Sequence, residues 1–317
     1  MVKFLILFSL ITAISYGQIS GCTDKLASNY NPKATINDCK CWYASAKVKP
    51  TFTTKLSDTL IRTSGLIPFE NLLWTHNDHF DSTLYGLDLK GKIKKKINLP
   101  KLKTDDWEEI SQDSTYIYIG DFGNNNLGNR NDLRILRIQK KSFYTTNPEI
   151  DTIAFSYPTQ TDFSVKKANT TDFDCEAFLV LENDIYLFSK QWTEEKTSVY
   201  TLPKTPGSYV AKFKSTIDVD GLITGVTLLP SKKGAVLCGY SKFLQPFVVL
   251  VYDYQGDEIC TGNKRKIKIS LPFHQIEAIT TEDGKLFYLT NEATVKKPFV
   301  NTPQQFHIID LSKYLID

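Results

Sequence analysis

Five positions in this chain share one chemistry at recurring intervals: Ser64, Glu108, Glu176, Thr224 and Glu277 all end in hard oxygen. Three carboxylates and two hydroxyls brought to one place repel one another, which raises their pKa values or calls for a cation. Calcium takes about six to eight oxygen ligands in loose geometry, so a Ca2+ site with a structural role is expected on these five residues. A second polar set follows each of the five positions along the chain: Asn77 and Asp78, Asp121 and Asn124, Lys190 and Trp192, Lys242, then Glu292. If that set overlooks the first, it forms the rim of a ligand pocket. Lys190, Lys242 and Arg130 suit phosphate or carboxylate groups, and Trp192 suits a flat ring.

For these residues to converge, the elements carrying them must repeat around an axis. Each of the five opens a unit: Ser64-Gly-Leu-Ile, Glu108-Glu-Ile-Ser, Glu176-Ala-Phe-Leu, Thr224-Gly-Val-Thr and Glu277-Ala-Ile-Thr. A second apolar run follows every opening, then a third at residues 84–89, 133–138, 197–202, 247–252 and 306–311. Fourth strands are predicted near 93–99, 150–157, 209–217 and 264–271, and the last unit reaches Asp317 without one. Residues 49–56 can supply it. Repeated four-stranded antiparallel units of this kind predict an all-β, five-bladed β-propeller whose N-terminal strand completes the last blade. The interval from 108 to 176 is the longest, so residues 158–171 read as an inserted loop, with a six-bladed propeller as the alternative. In such a fold the first strand of each blade lines the channel, which places the five oxygen-bearing residues in one ring.

The order Ser, Glu, Glu, Thr, Glu resembles the central metal ring of the secreted calcium-dependent apyrases, five-bladed propellers that hydrolyse nucleoside di- and triphosphates; Thr224 stands where that ring has serine. The segments Asp106-Trp-Glu-Glu-Ile, Gly120-Asp-Phe-Gly-Asn-Asn, Asp174-Cys-Glu-Ala-Phe and Leu222-Ile-Thr-Gly-Val resemble a family of uncharacterised secreted bacterial propellers across residues 60–315. That likeness implies fold and export. Two functions are then weighed: an exported, calcium-stabilised propeller that binds a ligand or partner on its channel face, and a calcium-dependent phosphohydrolase. In the second, the ion polarises a phosphoryl oxygen while Glu108 or Glu277 orients the attacking water. A pure scaffold docking other surface proteins is a third.

Composition narrows the partners. The 317 residues carry a formal charge of +3, with 41% hydrophobic and 12% aromatic residues, so no strong field favours nucleic acid. The basic runs at 94–96 and 264–266 fall in predicted strands and read as solvated outer faces. An apolar run from Phe4 to Ile14 after Lys3 reads as a signal peptide over residues 1–17, too short to span a membrane. Acylation at Cys22 is the alternative. Residues 18–45 resemble a short cysteine-bounded module found ahead of domains in secreted bacterial proteins, which implies a Cys22–Cys39 disulfide with Cys41 as the alternative partner. The propeller is expected over 46–317 as a monomer, with Cys175 and Cys238 as buried thiols. His76-Asn-Asp-His79 reads as a polar loop rather than a metal site, and no glycine-rich phosphate loop is present.

Overall fold

The computed structural model describes residues 17–315 apart from Phe80, Lys101, Lys103, Lys232, Gln255 and Asp257. The targeting segment expected over 1–17 thus lies, but for its last residue, outside the described residues. By its internal contacts the chain divides after Tyr43 into two compact units.

The first unit holds a short parallel pair, β1 (Ser20–Gly21) with β2 (Ile36–Asn37). Its Asn and Asp side chains serve turns: Asp24, Asn31, Asn37 and Asp38 each accept the backbone N–H two residues on. The disulfide joins Cys22 to Cys41, with a Cα–Cα distance of 5.0 Å, which corrects the expected Cys22–Cys39 bond. The physical reason is the turn at Asn37: Cys39 takes a left-handed φ of 57° and is exposed, and Cys41, two residues on, meets the buried Cys22 instead.

The second unit is the five-bladed propeller. It begins with β3 (Ala46–Val48) and β4 (Phe52–Lys55). Blade 1 is β5 (Thr63–Phe69), β6 (Leu72–Asn77), β7 (Thr83–Leu87) and β8 (Ile93–Asn98); blade 2 is β9 (Trp107–Gln112), β10 (Tyr116–Asp121), β11 (Arg134–Gln139) and β12 (Ile150–Ser156). Blade 3 starts with β13 (Cys175–Val180), β14 (Asp184–Ser189) and β15 (Lys196–Pro203). The chain then detours through β16 (Gly207–Val210), parallel to β12 on the outer edge of blade 2, before β17 (Lys212–Asp218) completes the blade. A single strand was expected over 209–217. It splits because Ala211 donates its N–H to Ser156 O, holding 207–210 on the neighbouring blade.

Blade 4 is β18 (Leu222–Leu228), β19 (Gly234–Tyr240), β20 (Pro246–Tyr252) and β21 (Asn263–Ile269), with β3 added in parallel outside it. Blade 5 is β22 (Ile276–Thr281), β23 (Leu286–Asn291) and, after a hairpin of β24 (Thr294–Lys296) and β25 (Val300–Thr302), β26 (Gln305–Asp310). Its fourth strand is β4, so the N-terminal strand closes the ring as expected. Residues 158–171 form no strand and no sixth blade.

Five apolar clusters hold the ring, one between each pair of neighbouring blades. Phe122, Phe155 and Phe178 pack blade 2 on blade 3, and Leu56, Leu66, Tyr288 and Phe306 pack blade 5 on blade 1. The inner strands β5, β9, β13, β18 and β22 touch in succession and close the circle. Alternation along each strand sends one side chain to each neighbouring blade, which is why nearly continuous apolar runs form these strands.

A buried histidine sits where the closing strand pairs. His307, 0% exposed, bonds Thr53 Oγ1 at 2.9 Å on the closing strand and Asn291 Oδ1 at 2.8 Å. Burial, with His274 beside it, lowers its pKa from the usual 6.5 to about 3. The native state therefore binds fewer protons than the unfolded chain between those values, and stability falls as pH drops through that window, by about 1.4 kcal/mol per pH unit for one group. His307→Gln is expected to remove about one proton from the difference; urea unfolding from pH 6.5 to 4 measures it, and an unchanged slope refutes the assignment.

Candidate functional site

The ring residues reach the channel through an irregularity shared by all five inner strands. Pairing between the first two strands skips one residue at Glu108, Glu176, Thr224 and Glu277, and in blade 1 Gly65 and Leu66 face Thr75 alone just after Ser64. A β-bulge of this kind frees a side chain from the regular alternation and re-aims it. In blade 1 the bulge needs glycine: Gly65 has φ +63°, and a Cβ there would lie 2.6 Å from Ile110 N.

Backbone bonds then stack the rim on the ring. The residue following the second strand donates its N–H to the residue two before the ring position: Asp78 to Arg62, Phe122 to Asp106, Lys190 to Asp174 and Glu292 to Gln275. The result is a cavity of about 290 Å3 at the channel mouth. Ser64, Glu108, Glu176 and Glu277 line it together with Asp78, Lys190, Trp192, Lys242 and Glu292. Four expected residues stand elsewhere. Thr224 Oγ1 donates to Ile276 O at 2.6 Å, much as Ser64 Oγ donates to Glu108 O at 2.5 Å, so both hydroxyls tie one blade to the next. Asn77 bonds Thr59 O and Asp81, Asp121 is buried against Arg130 and Arg134, and Asn124 caps the turn at Arg130. Arg130, consumed by Asp121 and Asp132, is likewise absent from the lining.

The cavity is strongly acidic at its base. Glu108 is buried, and its carboxylate has no hydrogen-bond or ion-pair partner among the described residues. Burial first, then repulsion from Glu176, Asp106, Asp174 and Asp78, holds its pKa well above the usual value. Glu277 is pushed up to about 8 by burial against the pull of Lys190, while Gln275 Nε2 bonds it at 3.1 Å and Glu292 at 2.6 Å. Glu176 pairs with Lys190 at 3.1 Å, both side chains nearly inaccessible. Burial opposes the Lys190 charge, but Glu176, Tyr240 and Glu277 outweigh it and keep the ammonium protonated; it also lies 4.6 Å over Trp192 and 5.2 Å over Tyr240. Lys242 is more exposed and pairs with Glu195 at 3.1 Å. Trp192 donates Nε1 to Asp174 Oδ2 at 2.7 Å, and packs with Leu222, Tyr240 and Leu244 as an apolar flank.

One residue deeper, the inner strands present Gly65, Glu109, Ala177, Gly225 and Ala278. Glu109 alone is large, and it fills the space the others leave. From blade 2 its carboxyl accepts Val226 N–H across the channel in blade 4 at 3.0 Å and Ile110 N–H at 3.0 Å, with a further bond to the Leu66 backbone. Burial raises its pKa. Glu109 thus reaches across the channel from blade 2 to blade 4 beneath the ring. Its signal was present in the aligned openings, where one carboxylate interrupts a column of small residues. Arg62, Tyr240, Gln275 and Lys296, which also line the cavity, carried no such signal.

No protein-family model and no curated protein matches the chain. Solved structures with a similar fold include the WD40 domain of Pan2 from Neurospora crassa (8% identity, TM-score 0.38, covering 78% of this chain and 75% of that one). Virginiamycin B lyase from Staphylococcus aureus is 10% identical at TM-score 0.40, covering 82% of this chain and 98% of the lyase. Both are propellers, and at this distance they carry no residue correspondence. No helix among the described residues is long and apolar enough to cross a membrane.

Removing one partner of the Glu176–Lys190 pair strands the other in a buried site. Lys190→Met is expected to destabilise the protein by about 3–5 kcal/mol at pH 7, and the double variant Lys190→Met/Glu176→Gln to recover most of it. Denaturant unfolding of the three proteins tests this; equal losses in single and double variants would show that the pair is not the cause.

Proposed function

We propose that this is an exported propeller that binds calcium at its acid ring and a small ligand or partner at the cavity above it. The observation that carries the reading is the unpartnered, buried carboxylate of Glu108, set among other acids where a lone charge is costly. Lys190 supplies one positive charge to Glu176. Glu108 and Glu277 still call for a second, and the donors at hand are all oxygen, which suits calcium. Glu108, Glu176 and Glu277 would hold the ion, with Ser64 Oγ beside them. Thr224, expected as a fifth ligand, supports the ring through its backbone tie instead.

Export is supported by the leader pattern in residues 1–17 and by the Cys22–Cys41 disulfide, a bond that persists in oxidising compartments. Ligand binding is supported by the lining of the site: an acidic base, an apolar flank of Trp192, Tyr240, Leu222 and Leu244, and the cations Lys242 and Lys296. Such a cup holds a small polar molecule with one apolar face.

Calcium-dependent phosphohydrolysis, which the likeness to apyrases implies, is the second reading. Lys190 and Lys242 do line the cavity, as that reading requires. Each, however, is already neutralised by a glutamate, and the positive field a phosphate needs is weaker than the two residues imply. Bound calcium would supply charge to polarise a phosphoryl oxygen. Glu108 or Glu277 would then orient water through a carboxylate oxygen.

Calorimetric titration of calcium into metal-stripped protein decides the first reading. Binding in the wild type that weakens at least tenfold in Glu277→Gln supports the ring as the site, whereas no heat of binding, or equal affinity in both proteins, refutes it. Hydrolysis of nucleotides and phosphomonoesters by the same samples separates the two functions: calcium-dependent turnover selects the hydrolase, and its absence in a calcium-loaded protein leaves binding.

A further inference from the structure

Beside the acid ring, the segment between β6 and β7 of blade 1 meets the residues that open blade 2. Asp78 and His79 follow β6, and Asp106 precedes β9; Trp107 N donates to Asp78 O at 2.9 Å, which holds the two segments side by side, and Asp106 N donates to Asp121 Oδ1 at 3.0 Å within blade 2. His79 Nδ1 lies 3.0 Å from Asp106 Oδ1 and 3.5 Å from Asp78 Oδ2, and one ligand atom from each residue falls within 4.8 Å of the others. Metal–ligand bonds of about 2.1 Å place neighbouring donor atoms about 3 Å apart, so these separations match the edges of a coordination shell.

We propose that Asp78, His79 and Asp106, joined by Glu108, form a binding site for a divalent first-row transition ion, distinct from the calcium ring in all but Glu108. Two further observations point to a ligand. Glu108 is 6% exposed and has no partner among the described residues, and its carboxyl borders that of Asp106: a Cβ on Gly123 would lie 2.2 Å from Glu108 Oε1 and 2.5 Å from Asp106 Oδ2. The cradle is therefore built for two carboxylates and closed to any side chain at position 123. Arg62 grips both oxygens of Asp78 from the other side through Nε at 2.6 and 2.8 Å, the outer support that orients a ligating carboxylate. Arg62 engages Asp78 alone, which leaves the carboxyl oxygens of Asp106 and Glu108, beside His79, as donors for a divalent cation.

The imidazole selects the metal. A nitrogen donor among carboxylates suits manganese, iron, cobalt or zinc better than calcium, which takes oxygen. His79 is partly exposed, with 41% of its side chain accessible, so the ion has a path in from solvent and room for water in its shell.

Cobalt(II) is the probe, because its visible d–d absorption reports the geometry and donor set around the ion and so shifts when an imidazole is lost. Metal-stripped wild-type protein is expected to bind one equivalent of cobalt with such a spectrum, and His79→Asn to bind it at least tenfold more weakly while calcium affinity is unchanged. Asp106→Asn should show the same loss; should it fail to fold by circular dichroism, the half-exposed His79 variant decides alone. Glu277→Gln should weaken calcium and leave cobalt in place, so the two sites fail separately. No cobalt uptake by the wild type, or a cobalt spectrum and affinity that survive His79→Asn, overturns the proposal.

Discussion

One extra residue in each inner strand brings the acids of this molecule to its channel. Regular alternation sends side chains of an inner strand into the apolar layers between blades, where a carboxylate is costly. The bulges at Glu108, Glu176, Thr224 and Glu277, and the glycine turn after Ser64, break that alternation at one level of the channel. The acids therefore face the axis while the apolar residues of the same strand still pack between blades, as Trp107 before Glu108 and Ile110 after Glu109 do. Fold and site are separated by a one-residue slip in register.

Once acids are gathered in a water-poor ring, the surrounding structure has to offset their charge. It does so in three ways. Lys190, equivalent in position to Asp78 and Glu292, points its ammonium at Glu176, and the faces of Trp192 and Tyr240 support that charge. Glu109 is satisfied by backbone N–H groups that the inner edges expose to the channel. Glu277 shares a glutamine with Glu292. Glu108 receives none of these, and that asymmetry is what the proposed cation site rests on.

The blades are held by apolar layers that treat each pair of neighbours alike, and the layer between blades 5 and 1 is no weaker in kind than the rest. Closure by β4 makes this possible, because the last blade cannot present a complete face to blade 1 without it. The same closure brings Thr53 to His307, so a polar pair is sealed in where the chain begins and ends its circuit. The seam also bears on the acid ring, since Ser64 of blade 1 and Glu277 of blade 5 keep their spacing only while the circle stays closed.

How much of this was legible beforehand follows from which interactions are local. The five strand openings, their apolar companions and the missing fourth strand are patterns within single segments, and strand period and repetition made them readable as a five-bladed propeller closed by residues near the N-terminus. The same alignment brought Ser64, Glu108, Glu176 and Glu277 to one level, because equivalent positions in a repeat meet by symmetry. What symmetry does not specify was left to tertiary structure. Whether Cys39 or Cys41 reaches Cys22 depends on the left-handed conformation at Cys39; whether residues 207–210 stay with blade 3 or cross to blade 2 depends on a bond from Ala211 to Ser156, at the end of the far-off strand β12. Lys190 reads in sequence as a ligand contact and stands in the structure as the counter-ion of Glu176, because only the folded ring places a buried carboxylate within its reach. His79 and Asp106 lie in separate blades and acquire a shared chemistry only where those blades touch. The sequence by itself determined which segments repeat and so which residues share a level; the tertiary structure decided how each charge is offset, since that depends on distances across blades that no local pattern encodes.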